Sequence, residues 1–165
     1  MPSTPASLAN ESEPLIRPLL AGDIPACAAM MADSQLWQRY GVTHASATQR
    51  LRNGLDAHET IAVAEVEVGS PAGFVWYVLD GAFHRSGYIM LIAVREDMRG
   101  SGIGQMLMGF AEDKMFSLVK DVFLLVSDFN LAAQRFYQRL GYTQVGAIPD
   151  YILPGISELI YHKRC

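Results

Sequence analysis

Seven apolar residues in succession, Tyr88–Val94, lead after four further residues into the turn Arg99-Gly100-Ser101-Gly102-Ile103-Gly104 and then into an amphipathic stretch. No other feature of the chain restricts its fold as much. A strand that is apolar on both faces belongs in the middle of a covered sheet. The stretch after the turn spaces Ile103, Met106, Leu107 and Phe110 as the buried stripe of a helix from about Gly102 to Leu118. The apolar run itself is far too short to cross a bilayer.

The turn has chemistry of its own. Backbone N–H groups at the start of a helix lack intrahelical acceptors and sit at the positive end of the helix dipole. Such a terminus is an anion site and suits a pyrophosphate. Glycines keep side chains from holding phosphate oxygens away from the amides, and Arg99 can add a charge-assisted hydrogen bond. The spacing excludes two neighbouring motifs: Gly100, Gly102 and then Gln105 breaks the dinucleotide pattern GxGxxG, and Phe110 after Gly109 lacks the GK of a P-loop. The hexapeptide alone would arise by chance in roughly one chain in seven of this length. Its weight comes from a second strand-helix unit that begins at Val122.

The remaining pattern arranges itself around this centre. Leu15–Leu20 reads as a strand, and Asp23 can cap a helix to about Asp33 with Ile24, Cys27, Ala28 and Met31 on one stripe. The chain turns through Trp37, Tyr40 and Gly41. Thr43 can then cap a second helix to about Ala57 through Ala47, Leu51 and Leu55. Ile61–Val68 and Ala72–Leu79, joined at Gly69-Ser70-Pro71, form a hairpin. The second unit is a strand Val122–Ser127, a helix Asn130–Leu140 stopped by Gly141, and short strands at Tyr142–Val145 and Ser157–His162.

The 165 residues fit one domain, expected over 15–165 and carrying one active site. Residues 1–14 hold two Glu, no Lys or Arg and no apolar segment, and read as a flexible tail rather than a secretory signal. A net charge of −4 supplies no basic field, so nucleic acid is not the expected ligand and no membrane is implicated. Cys27 and Cys165 give neither a disulfide framework nor a zinc spacing, which fits a reducing cytoplasm. His44, His58 and His162 are widely spaced and signal no metal.

Two stretches resemble the GNAT superfamily of acetyl-CoA-dependent N-acetyltransferases. LIAVREDMRGSGIGQML (91–107) is similar to its motif A, and LLVSDFNLAAQRFYQRLGY (124–142) to its motif B, with Asn130, Ala133, Tyr137, Gly141 and Tyr142 in that family's spacing. The likeness runs from Leu15 to Lys163 and includes DYILPGISELIYHK, similar to the closing hairpin of bacterial members. The resemblance implies an α/β (α+β) fold with a mixed, mostly antiparallel central sheet of about six to seven strands flanked by about four helices. It also implies acetyl-CoA as co-substrate, without a metal. Arg99, Gly100, Ser101, Gly102, Ile103, Gly104 and Gln105 would hold the CoA pyrophosphate. The backbone of Ile92, Ala93 and Val94 would pair with the pantetheine arm where the two central strands splay. Asn130 and Ala133 would contact the pantetheine, and Tyr137 would stand near the sulfur as general acid.

Amine attack on a thioester needs a neutral amine, an oxyanion stabiliser and a proton for the thiolate. A tyrosine stays protonated at neutral pH, so Tyr137 suits the third task, although it also completes a core stripe with Ala133, Phe136 and Leu140. The Val94 N–H can serve the oxyanion. The central strand offers Met90, Leu91 and Ile92 where many relatives carry a glutamate, so no base is evident; Asp80, His84, Asp128 and Asp150 are fallbacks. A missing base leans toward acceptors of low pKa such as α-amines. Glu65 and Glu67 alternate with apolar neighbours and read as the wet face of a strand. Trp37 and Tyr40 either border an acceptor pocket or anchor the core. The expected reaction is direct acetyl transfer to a primary amine of a small molecule or peptide, and two copies could pair as a homodimer. The rival reading is a catalytically silent acyl-CoA-binding sensor.

Overall fold

The computed structural model describes residues 14–165, so the tail expected for residues 1–14 lies, but for Pro14, outside the described residues. The chain runs β1 (Leu15–Pro18), α1 (Ile24–Ala32), α2 (Gln35–Arg39), α3 (His44–Asp56), β2 (Thr60–Glu67), β3 (Ser70–Ala82), β4 (Ser86–Val94), α4 (Ile103–Phe116), β5 (Asp121–Ser127), α5 (Leu131–Arg139), β6 (Thr143–Pro149) and β7 (Ser157–Arg164). The seven strands make one sheet in the order β1-β2-β3-β4-β5-β7-β6. Every neighbouring pair is antiparallel except β4 and β5, which are parallel and joined through α4. The mixed, mostly antiparallel sheet is as expected. The five-residue α2 is an addition, formed where the sequence suggested only a turn.

The sheet is covered on both faces. On one face Ile103, Leu107, Met108, Ala111 and Met115 of α4 pack on Ala62, Val75, Tyr77, Ile89, Leu124 and Val126. On the other, α1 and α3 pack through Ile24, Cys27, Met31, Ala47 and Leu51 on Ile61, Val63, Phe74, Trp76, Leu91 and Ala93. Each fully buried Leu, Ile or Met contributes about 1.5–3 kcal/mol relative to an exposed one. The stripe expected on α4 shifts by one position: Met108 is buried and Met106 only half-buried, because α4 also touches β5.

A bulge sets the faces of β4. Trp76 pairs with Leu91 but Tyr77 with Ile89, so Met90 is the extra residue. A bulge reverses the alternation beyond it. Ile89 accordingly joins the α4 face while Leu91, two residues on, joins the α1/α3 face.

Capping follows the sequence only in part. Thr43 caps α3 and forms a reciprocal box with Ser46. Asp23 precedes α1, but its carboxylate gives that helix no cap; it accepts from the Leu20 N–H at 2.8 Å and from the Arg17 guanidinium at 2.6 and 2.9 Å. The same guanidinium reaches Glu65 at 2.8 Å. Glu65 is thus buried rather than on a wet face: Ala64 and Val66 beside it face the α4 core, so it points to the other side of the sheet, where Arg17 of β1 and Asp23 cover it. Glu67 is exposed as expected. Among the described residues both cysteines are free, no three His, Cys, Asp or Glu gather as a metal site, and no helix is long and apolar enough to cross a membrane.

Candidate active site

The parallel seam between β4 and β5 opens toward its C-terminal end. Pairing covers Gly87↔Val122, Tyr88↔Phe123 and Ile89↔Leu124 and then stops, although β4 runs on to Val94 and β5 to Ser127. Beyond the bulged Met90, Leu91–Val94 therefore pair only with β3 among the described strands and present an open edge to the cleft between β4 and β5. Ile92 and Val94 lie against the α4 core and Ala93 is buried on the opposite face.

The Gly-rich turn stands at the mouth of this cleft. Gly100 and Gly102 have φ of +78° and +90°, left-handed values that a side chain would strain. A Cβ at either would meet no atom within 4 Å, so the space above the turn is clear. The first helical bond of α4 runs from the Met106 N–H to the Gly102 carbonyl at 3.0 Å. The N–H groups of Gly102, Ile103, Gly104 and Gln105 find no backbone acceptor among the described residues. Ile103 anchors the turn in the core, while Arg99, Ser101 and Gln105 are exposed. A Cβ on Gly104 would stand 3.3 Å from the Phe136 ring and 3.6 Å from Val94, so this glycine also lets α4 close on α5. Four free amides above clear space fit a pyrophosphate.

α5 lines the same face. Asn130 caps it, its Oδ1 accepting from the Ala133 N–H at 3.2 Å, which leaves the Asn130 amide N–H₂ to donate elsewhere. Tyr137 is 7% exposed, edge-on to Phe136 and Tyr142 at 5.2 and 5.9 Å, and its hydroxyl bonds to no described residue. Burial pushes that hydroxyl well above the usual tyrosine range, with a smaller contribution from Tyr88. Gly141 closes the helix: its N–H bonds the Gln138 carbonyl and the Tyr142 N–H bonds the Tyr137 carbonyl, both at 3.0 Å.

The opposite face holds a polar group that the sequence reading missed. Leu124, Val126, Leu159 and Tyr161 face α4, so by alternation Ser127 and its cross-strand partner Glu158 face away from it. The Tyr40 hydroxyl donates to Glu158 Oε1 at 2.5 Å and accepts from Ser127 Oγ at 2.5 Å. Burial, then the Glu158 carboxylate, push the Tyr40 hydroxyl up to about 12. Tyr40 and Trp37 part company: Trp37 packs on the α1/α3 core, whereas Tyr40 reaches the end of β5.

The fallback bases fare differently. Asp80 and His84 are exposed near the β3–β4 turn, at the closed end of a strand that spans roughly 25 Å. Asp128 accepts from the Ser157 N–H at 3.1 Å and Asp150 from the Gly155 N–H at 2.6 Å, so both are loop fasteners. His162 bonds Asp121 at 2.7 Å and stacks on Phe123, remote from any metal-like cluster of described residues.

Known proteins supply the context. The sequence profile described as "Acetyltransferase (GNAT) family" matches residues 28–142. An uncharacterized N-acetyltransferase of Methanocaldococcus jannaschii is 30% identical over 92 residues, which cover 54% of this chain and 59% of that relative. The matched region thus spans less than two thirds of the relative's length. An N-acetyltransferase from Staphylococcus aureus superposes with a TM-score of 0.74 at 18% identity, over 93% of this chain and 99% of that one. A Salmonella typhimurium protein solved with its cofactor acetyl-CoA gives 0.71 at 16% identity, over 93% and 94%. At these identities the likeness is one of fold.

Proposed function

The chain belongs to the GNAT family of acetyltransferases, and from that premise we propose that it moves the acetyl group of acetyl-CoA directly to a primary amine of a small molecule or peptide. The observation that carries this reading is the seam that stops pairing at Ile89↔Leu124, together with four free amides of the α4 turn at its open end beside Val94. An extended arm laid along Met90–Val94 would satisfy the open strand edge as an added strand does. Its diphosphate end would meet the amides of Gly102–Gln105, with Arg99 adding charge.

Bound acetyl-CoA supplies an activated acyl group as a thioester. The residues of this chain do the rest. The turn and the β4 edge hold the acyl carbon at the base of the cleft, so that positioning supplies much of the rate. A backbone N–H of the open β4 edge toward the base of the cleft stabilises the oxyanion. Tyr137, protonated at all physiological pH values because burial raises it, donates to the sulfur as the C–S bond breaks. Asn130 and Ala133 border the arm from the start of α5, and Tyr40 borders the acceptor.

Calorimetric titration with acetyl-CoA, followed by thiol release against amino acids, polyamines and peptides, tests the reading. Binding with release is expected. Gly104→Asp, which sets a carboxylate among the amides, should abolish binding, and unchanged affinity in a folded variant would remove the turn from the site. Binding by the wild type without release for any amine would favour the silent sensor.

A further inference from the structure

Buried carboxylates in the described part of this protein are answered by cations. Asp23 and Glu65 share Arg17, and even the half-buried Glu112 meets Lys163 at 2.6 Å. Glu158 departs from that rule. It is 3% exposed, yet among the described residues it meets only hydroxyls: Tyr40 donates to it at 2.5 Å, and Ser127 Oγ lies 3.4 Å from both its oxygens. No described Lys, Arg or His forms an ion pair with it. Neutral hydroxyls compensate a buried carboxylate only partly, and a cation at hydrogen-bond distance would complete it.

Its position says where that cation comes from. Glu158 sits on β7 beside Ser127, the β5 residue three positions beyond the last β4–β5 pair, so it flanks the open half of the seam from across β5, roughly 10 Å past the point where pairing stops. It faces away from α4 and α5, whereas Tyr137 approaches from α5. The open half of the seam therefore has a proton donor on one face of the sheet and, on the other face beside Ser127, a carboxylate with no cation among the described residues. That is the division of labour acyl transfer to an ammonium requires.

We propose that Glu158 binds the acceptor's ammonium group and takes its proton, so that the acceptors are cationic primary amines of high pKa. The proposal rests on the N-acetyltransfer reading. The ammonium gives one proton to the Glu158 carboxylate, and the freed lone pair forms the C–N bond. The C–S bond breaks with its electron pair going to sulfur, which takes the Tyr137 proton. The second nitrogen proton leaves to solvent, from which Tyr137 is reprotonated, and Glu158 releases its own proton there too. Tyr40 and Ser127 are positioning residues that hold the carboxylate. The base absent from the central strand thus stands on β7, and the lean toward low-pKa acceptors reverses.

Glu158→Gln keeps the shape and the oxygen that Tyr40 bonds. It should fold and bind acetyl-CoA as the wild type does. With spermidine, lysine and an alanine-initiated peptide as probes, kcat/KM at pH 7.5 should fall by about 100-fold or more. The deficit should shrink as pH rises through the amine's own pKa, where neutral amine arrives without needing a base. Tyr40→Phe should show an intermediate loss. Wild-type rates in Glu158→Gln, or a deficit equal at every pH, would overturn the proposal and leave N-acetyltransfer standing. No thiol release by the wild type with any probe would overturn both.

Discussion

Tyr137 carries its proposed role in one atom. Tyr137→Phe keeps the ring contacts to Phe136 and Tyr142 and removes a hydroxyl with no described partner, so stability should change little. Turnover should fall by about 100-fold with the Michaelis constant for acetyl-CoA within about twofold, read from steady-state kinetics. Asp121 makes a different forecast. Arg164 and His162 hold its carboxyl down to about 2, from an ordinary 3.8. A lowered folded-state value means stability that is present above pH 4 and lost as pH falls through 2. Melting temperatures of wild type and Asp121→Asn should therefore differ at pH 7 and converge between about pH 4 and 2. Residues that act through the local backbone were legible: the glycines of the turn, the Thr43 cap, and Asn130 and Gly141 at the ends of α5. Glu158 was not. In GISELIYHK it reads as one polar position of an alternating strand, and Tyr40, which gives it meaning, lies 118 residues away.

Elements were legible where one stripe decides them and less so where neighbours do. The ends of β3 reach beyond the expected Ala72–Leu79 to Ser70 and Ala82, because pairing extends strands past their apolar run. The five residues of α2 carry no stripe to announce it. The bulges at Met90 on β4 and Ala72 on β3 reverse an alternation that sequence can only assume to continue. α3 offers a test of packing against propensity. Alanine at Gly54 gains up to about 1 kcal/mol of helix propensity. Its Cβ would stand 2.5 Å from Trp76 Cζ2 and 3.1 Å from Ile61 Cδ1, and overpacking of that kind costs about 1–3 kcal/mol. Gly54→Ala should lower the melting temperature by several degrees, checked by thermal denaturation, and a rise would mean that Trp76 gives way freely.

At the scale of the molecule, the open seam makes the sheet's weakest join also the place where ligand adds most. Acetyl-CoA at 100 times its dissociation constant should add about 2.7 kcal/mol to stability. Hydrogen exchange should slow selectively at Met90–Val94 and Gly102–Gln105, a pattern that mass spectrometry of the bound and free protein would reveal. That the two central strands part was legible only through resemblance, since no residue pattern marks where pairing stops. The same seam has a consequence for how the chain is divided. β1–β4 and β5–β7 are each contiguous in sequence and antiparallel within themselves, and three residue pairs plus α4 connect them. A cut in the turn at 117–120 yields two fragments with complete internal ladders. Acetyl-CoA, lying across both, would act as the clasp that reunites them, so a split version of this protein would report the co-substrate by its own reassembly.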